Sequence, residues 1–402
     1  MKKVFLTTIA LLSIASASVF GMYGVNSGDW IGFLTHGNQF RARMGQLGFT
    51  LGNDTIKGTF GFFNNGRGAY GSMLSQSTAA GESGTGLYYD FTPTISMGLA
   101  YTSSLISVGV GYNATIGPRW NRYNNKTEPK KVEAVVHTPV LVLNALDNAF
   151  RMAIPIQVVN LTDKFDGVGK GSITAVSLDA QFRYFTGLDF LPQIRLLIKY
   201  GNYGMQLSQE GGQKEKVTIA ESFGFEFRLY FGAMVEEVAL QPYIKLVYNG
   251  ALGKQHSKRS VTALDALNDS ASFMGQITSL FANPDTATQP TPSYGGNAAW
   301  KKSAWDLTLA PTLGITANSD IVSLYVEPSL GLTITQSGSA TDNKVKELYS
   351  LYWGAYAEIY ITPIKNLEWY FEADVNNNAT SGSITPVKFA ASTGITWYLP
   401  AL

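Results

Sequence analysis

From Ile56 to Leu399 the chain keeps returning to one pattern, an apolar residue followed by a polar one, broken at intervals by polar turn residues. In VSLDAQFRY, residues Val176, Leu178, Ala180, Phe182 and Tyr184 alternate with Ser177, Asp179, Gln181 and Arg183. Successive side chains on a strand point to opposite faces, so this peptide has one greasy face and one wet face. SFGFEFRLYF repeats the pattern, with Phe223, Phe225, Phe227, Leu229 and Phe231 set against Glu226 and Arg228. So does LEWYFEADV, with Leu367, Trp369, Phe371, Ala373 and Val375 against Glu368, Glu372 and Asp374. The fold class is therefore all-β. What the greasy face touches, a soluble core or hydrocarbon, decides the architecture.

The connections between strands favour hydrocarbon. Long ones occupy about 64–85, 113–131, 160–172, 204–215, 249–303, 336–347 and 376–386, with short turns between them at GNDT, TSS, ALDN, TGLDFLP, FGAMVE, ANSD and TPIKN. Alternation of short and long connections is the signature of a barrel inserted from one side, with tight periplasmic turns and longer extracellular loops. Charged residues make up 15% of the chain, against about 25% in ordinary soluble domains. No run approaches the ~20 apolar residues of a spanning helix. Mean hydropathy is only +0.02, so a membrane-facing surface has to be interleaved with polar positions. Unpaired backbone groups are too costly in lipid for an open sheet, so the strands must close. The expectation is a transmembrane antiparallel β-barrel of about 16 strands, counting DWIGFLT and QFRARMGQLGFTL as the first pair. The alternative is 14, with Asp29–Thr35 a short plug or helix. A soluble two-sheet protein is the competing reading and leaves the loop segregation unexplained.

MKKVFLTTIALLSIASASVFG reads as a secretory signal peptide over residues 1–21, with cleavage after Ala17 or Gly21. Residues 22–402 then form a single barrel domain. The leader carries Lys2 and Lys3; without them 28 basic residues of the original 30 stand against 29 acidic ones. That balance does not suit a nucleic-acid partner. The chain has no Cys, which excludes disulfides, thiolate metal sites and cysteine nucleophiles. His36, His137 and His256 lie far apart, and no P-loop, dinucleotide fingerprint, HExxH or GxSxG occurs. Neither an enzyme nor a cofactor is expected.

The wet faces supply Arg151, Asp179, Arg183, Arg195, Lys199, Glu226, Arg228, Lys245, Glu327, Glu358 and Glu372 as lumen-lining candidates. Small residues such as Gly109 and Gly111 add room there. About 16 strands leave an aqueous channel unless something fills it. Basic residues cluster in the middle strands and acidic ones in the later strands, which would set a transverse field across the pore. The longest connection, about 249–303, holds Leu264, Leu267, Ala271, Met274, Ile277 and Phe281 at helical spacing. It folds inward to narrow the pore, caps the outer mouth or, the preferred reading, rests as a helix on neighbouring surface loops.

The leader together with GMYGVNSGDWIGFLTHGNQFRARMGQLGF resembles the variable surface proteins of the spirochaete Brachyspira. The resemblance implies an abundant, antigenic outer-membrane barrel from a paralogous set, with no catalytic residues to carry over. The function expected is a porin-like channel for small polar solutes that is also an exposed variable antigen. A substrate-specific plugged transporter and a closed structural or adhesive barrel are the alternatives. Outer-membrane lipid, small polar solutes and a homotrimer are the expected partners.

Overall fold

The computed structural model describes residues 24–43, 46–64, 75–77, 88–90, 93–116, 120–121, 131–132, 135–165, 169–209, 214–235, 238–252, 258–263, 301–339, 345–377 and 387–399. The expected leader lies outside them, as does nearly all of the expected helix in the longest connection. Sixteen strands form the wall: β1 (Gln39–Arg43), β2 (Gln46–Gly52), β3 (Ile56–Asn64), β4 (Pro93–Tyr101), β5 (Ile106–Ile116), β6 (Val135–Ala145), β7 (Phe150–Phe165) and β8 (Gly169–Phe185). They continue as β9 (Gln193–Gln209), β10 (Lys214–Tyr230), β11 (Val238–Ala251), β12 (Trp305–Asn318), β13 (Val322–Gln336), β14 (Leu348–Ile364), β15 (Leu367–Asn376) and β16 (Lys388–Leu399). The sheet has a seventeenth paired segment, Ala233–Val235, which prolongs the β10–β11 hairpin beyond Tyr230.

Every strand pairs antiparallel with its sequence neighbour, and β1 pairs with β16 through Phe40↔Leu399, Arg41↔Tyr398, Ala42↔Trp397 and Arg43↔Thr396. The ring is closed, and no sheet edge is left in need of a partner. Parity then sorts the side chains. Leu99, Val110, Leu330, Leu332, Ile395 and Trp397 all lie exposed on the outer face, and Phe389 is 69% exposed. These are the apolar positions of the sequence pattern. Their polar neighbours in sequence point into the ring. Among the described residues no helix is long and apolar enough to cross a membrane.

The strand count matches the expectation, but the first pair does not. Asp29–Thr35 is no strand: Ser27–Trp30 is a helical turn, α1, and Phe33–Thr35 a 3-10 turn. The sixteenth strand comes instead from QFRARMGQLGFTL, which divides into β1 and β2 paired as Arg43↔Gln46 and Ala42↔Leu47. Two of the expected long loops are corrected as well. Strand β7 runs on to Phe165 and β8 begins at Gly169, while β9 runs to Gln209 and β10 begins at Lys214. Residues 160–172 and 204–215 are thus largely strand. Backbone pairing, as in Asn160↔Thr174 through Phe165↔Gly169 on β7 and β8, carries these extensions without an alternating apolar face.

Candidate functional site

The inner wall carries three structures that meet in the lumen: an N-terminal plug, an in-folded segment of the longest connection, and a band of charged and tyrosine side chains. The plug is residues 24–36. Trp30, Ile31, Phe33 and Leu34 form a small core with Ala100, Val140, Val142 and Ala153 of β4, β6 and β7. Trp30 is fully buried and meets Phe33 edge-on at 5.6 Å. The strands facing it are built for this contact. A Cβ at Gly98 would lie 3.0 Å from the Trp30 ring, one at Gly109 3.1 Å from Leu34, and one at Gly111 2.9 Å from Trp30 Cζ2 and closer still to Cη2. Gly109 and Gly111 therefore make room for an indole and its neighbours, not for water as expected.

Polar contacts pin the plug to four strands. The Trp30 indole N–H and the Asn113 side-chain N–H both donate to the Gly24 carbonyl at 2.8 Å. Lys57 Nζ donates to the carbonyls of Leu34 (2.8 Å) and His36 (2.7 Å). Ser27 donates to Asp179 through both its amide and its hydroxyl, each at 3.2 Å. Arg151 reaches Thr35 Oγ1 at 3.3 Å. Burial, and the Asp179 carboxylate beyond it, raise the Asp29 carboxyl to about 6. Burial, then Lys57 and Arg151, lower His36 to about 4.

The second structure is residues 258–263. The Val261 amide donates to Ser222 Oγ (2.8 Å) and the Ala263 amide to Ser177 Oγ (2.9 Å). Lys258 Nζ lies 3.3 Å from the Tyr203 hydroxyl, and Arg259 lies 3.8 Å from Asp306. Gly201 gives the segment its seat, since a Cβ there would collide with the Val261 carbonyl. This part of the longest connection turns inward against β8, β9 and β10. The expected helix with its stripe from Leu264 to Phe281 lies outside the described residues.

The eleven lumen-lining candidates all share the inward parity, and the register arranges them. Arg151 pairs with Arg183, Arg183 with Arg195, Arg195 with Arg228, and Arg228 with Lys245, in one row across β7 to β11. Asp179 pairs with Lys199 further along β8 and β9. Glu226 is tied to Arg228. On later strands Glu358 pairs with Glu372, and Glu327 stands on the neighbouring β13. Glu372 binds Arg43 at 3.1 Å, Tyr356 donates to Glu358, and Tyr243 (2.7 Å) and Tyr325 both donate to Glu327. Tyrosine hydroxyls thus hold acidic groups in place without adding cations. Lys245 reaches the ring of Tyr352 on β14 at 5.2 Å. Basic and acidic sectors therefore occupy different arcs of the wall.

Sequence reasoning offered Asp29–Thr35, with Trp30 and Phe33, as a short plug or helix only in second place, and passed over Ser27, Val261 and Ala263. The spacing of Trp30, Phe33 and Leu34, three then one, was the available helical signal.

A family model described as Serpulina hyodysenteriae variable surface protein matches residues 2–398. No curated protein matches the chain. Among solved structures the copper transporter OprC is similar, at 8% identity and a TM-score of 0.39, over 90% of this chain and 64% of that one, so the chain spans less than two thirds of that protein's length.

Proposed function

The chain belongs to the Serpulina variable surface protein family, and from that premise we propose that it is an outer-membrane surface barrel with a narrowed, charge-lined channel for small polar solutes, whose long connections are displayed as variable antigen. The observation that carries this reading is the division of faces. Leu99, Val110, Leu332 and Phe389 point out, while rows of Arg, Lys, Glu and Tyr point in. Outward apolar side chains suit lipid, and an inner wall of this polarity suits water and dissolved ions. The plug and residues 258–263 narrow the passage from two sides.

The test is purified protein refolded in detergent and added to a planar bilayer. Stepwise conductance is the expected result, and a heat-modifiable shift on gels reports that the ring has closed. A folded barrel that passes no current refutes the channel. The seated plug favours a second reading, a gated transporter. Under it, wild type is silent and deletion of residues 24–36 opens the pore.

A further inference from the structure

We infer that the row Arg151, Arg183, Arg195, Arg228 and Lys245 is an oxyanion-binding track on the inner wall, taking small carboxylates or phosphates. It deepens the channel reading above and rests on it for its physiological use, though binding itself needs no conduction.

Residues directly opposite on neighbouring strands have Cβ atoms only ~4.5–5.5 Å apart, and like charges so placed repel. Four successive cross-strand pairs of cations are therefore costly unless something offsets them. Among the described residues only Arg228 has a carboxylate against it, Glu226. Among the described residues neither Arg183 nor Arg195 has a carboxylate within ion-pair distance. Arg183 donates to the Gln181 side-chain oxygen and Arg195 to that of Gln193 (3.2 Å).

Aromatic faces do the holding instead. Arg151 lies 4.7 Å from the Phe185 ring centre, Arg195 5.0 Å from Tyr230, and Arg228 5.4 Å from Tyr243. A ring grips a guanidinium by its flat face and does not cancel its charge. The N–H edges remain available to an acceptor. One of them, Arg195 Nε, is buried with no acceptor among the described residues, on a side chain only 8% exposed; Arg183 is 5% exposed. A desolvated, fork-shaped donor lacking its acceptor is the signature of a missing oxyanion, because guanidinium geometry matches carboxylate and phosphate oxygens two at a time. The acids on the far arc are not that acceptor. Glu327 and Glu358 are engaged by tyrosines and Glu372 by Arg43. Lipid headgroups are not either, since the row faces inward.

Two measurements decide this. Inorganic phosphate is titrated calorimetrically into the purified, detergent-held barrel, and the reversal potential is recorded in a bilayer under a KCl gradient. Wild type is expected to bind phosphate, more weakly as salt rises, and to pass anions in preference to cations. Arg183→Gln with Arg195→Gln should abolish the binding heat and move the reversal potential toward the cation side. Arg183→Lys with Arg195→Lys keeps the charge but loses the fork, so it should retain the anion preference and weaken phosphate binding. Absence of binding heat in wild type overturns the track without any variant, as does a folded Gln variant that behaves like wild type. A barrel that binds phosphate yet carries no current keeps the track and refutes the channel. One that conducts without anion preference or binding does the reverse.

Discussion

Gly111→Ala is the most direct probe of the plug. The added methyl would stand 2.9 Å from Trp30 Cζ2, and nearer to Cη2, where carbon atoms settle at ~3.5–4.0 Å. The wall strand is paired on both sides, so the indole must retreat. Overpacking of this kind costs about 1–3 kcal/mol, and here the cost falls on the seating of residues 24–36. Trp30→Ala removes a fully buried side chain, worth about 3–5 kcal/mol. In the double variant the methyl enters space that the indole has vacated, so the two costs do not add. A coupling of about 1 kcal/mol or more is expected, within the range for contacting residues. The readout is hydrogen exchange of the plug amides that bond internally, Ile31 to Ser27 and Thr35 and His36 to Gly32. Each 1.4 kcal/mol of lost seating speeds exchange about tenfold. Strict additivity, or unchanged exchange in Gly111→Ala, would refute the packing argument, provided heat-modifiable migration shows an intact ring.

Other outcomes follow from the same contacts. Asp29 is raised from 3.8 to about 6, so docking weakens as pH rises through that interval; His36 is lowered from 6.5 to about 4, so docking weakens as pH falls through that one. Each shift is worth about 3 kcal/mol, and between pH 4 and 6 they oppose each other. His36→Gln should leave a plug that tightens on acidification and Asp29→Asn one that loosens, judged by exchange at 24–36; identical pH slopes would contradict this. Val110→Arg or Leu332→Arg puts a charge on the outer face and should cost about 2–4 kcal/mol near the bilayer midplane, measured by denaturant unfolding in liposomes. Thr308→Arg, facing inward, is the control, and an equal cost there would undo the assignment of faces. Ser177→Ala and Ser222→Ala each remove the acceptor of an inward backbone amide and should loosen residues 258–263 by about 1 kcal/mol, seen as faster proteolysis in that segment. Unchanged cleavage would mean the hydroxyls do not hold it.

The wall was legible because an apolar outer face and a polar inner one impose opposite demands at a period of two, and residues such as Val108, Val110 and Ile395 obey it directly. The β1–β2 turn also left a trace. Apolar residues sit at even positions through Phe40 and Ala42, then at odd positions from Leu47 through Phe49 and Leu51, and such a change of parity marks a chain reversal. The plug was legible only as the alternative to a first strand at Asp29–Thr35. Trp30, Ile31, Phe33 and Leu34 are as apolar as any strand here, and only the packing against Gly98, Gly109 and Gly111 shows that they fill the lumen. The Arg row could be listed by parity but not aligned, because register between strands depends on turn geometry that composition does not reveal.

The join between β1 and β16 bears on how such a tube is made and unmade. Four residue pairs meet there, whereas β8 and β9 share an unbroken run from Gly169↔Gln209 to Phe185↔Gln193. The first and last staves of the hoop can meet only after both exist, so this short seam is what closes the ring. Arg41 leaning on the Tyr398 ring at 5.7 Å, and Arg43 reaching past β16 to Glu372, act as its latch. A latch so placed guards the flank of the cylinder and not either mouth.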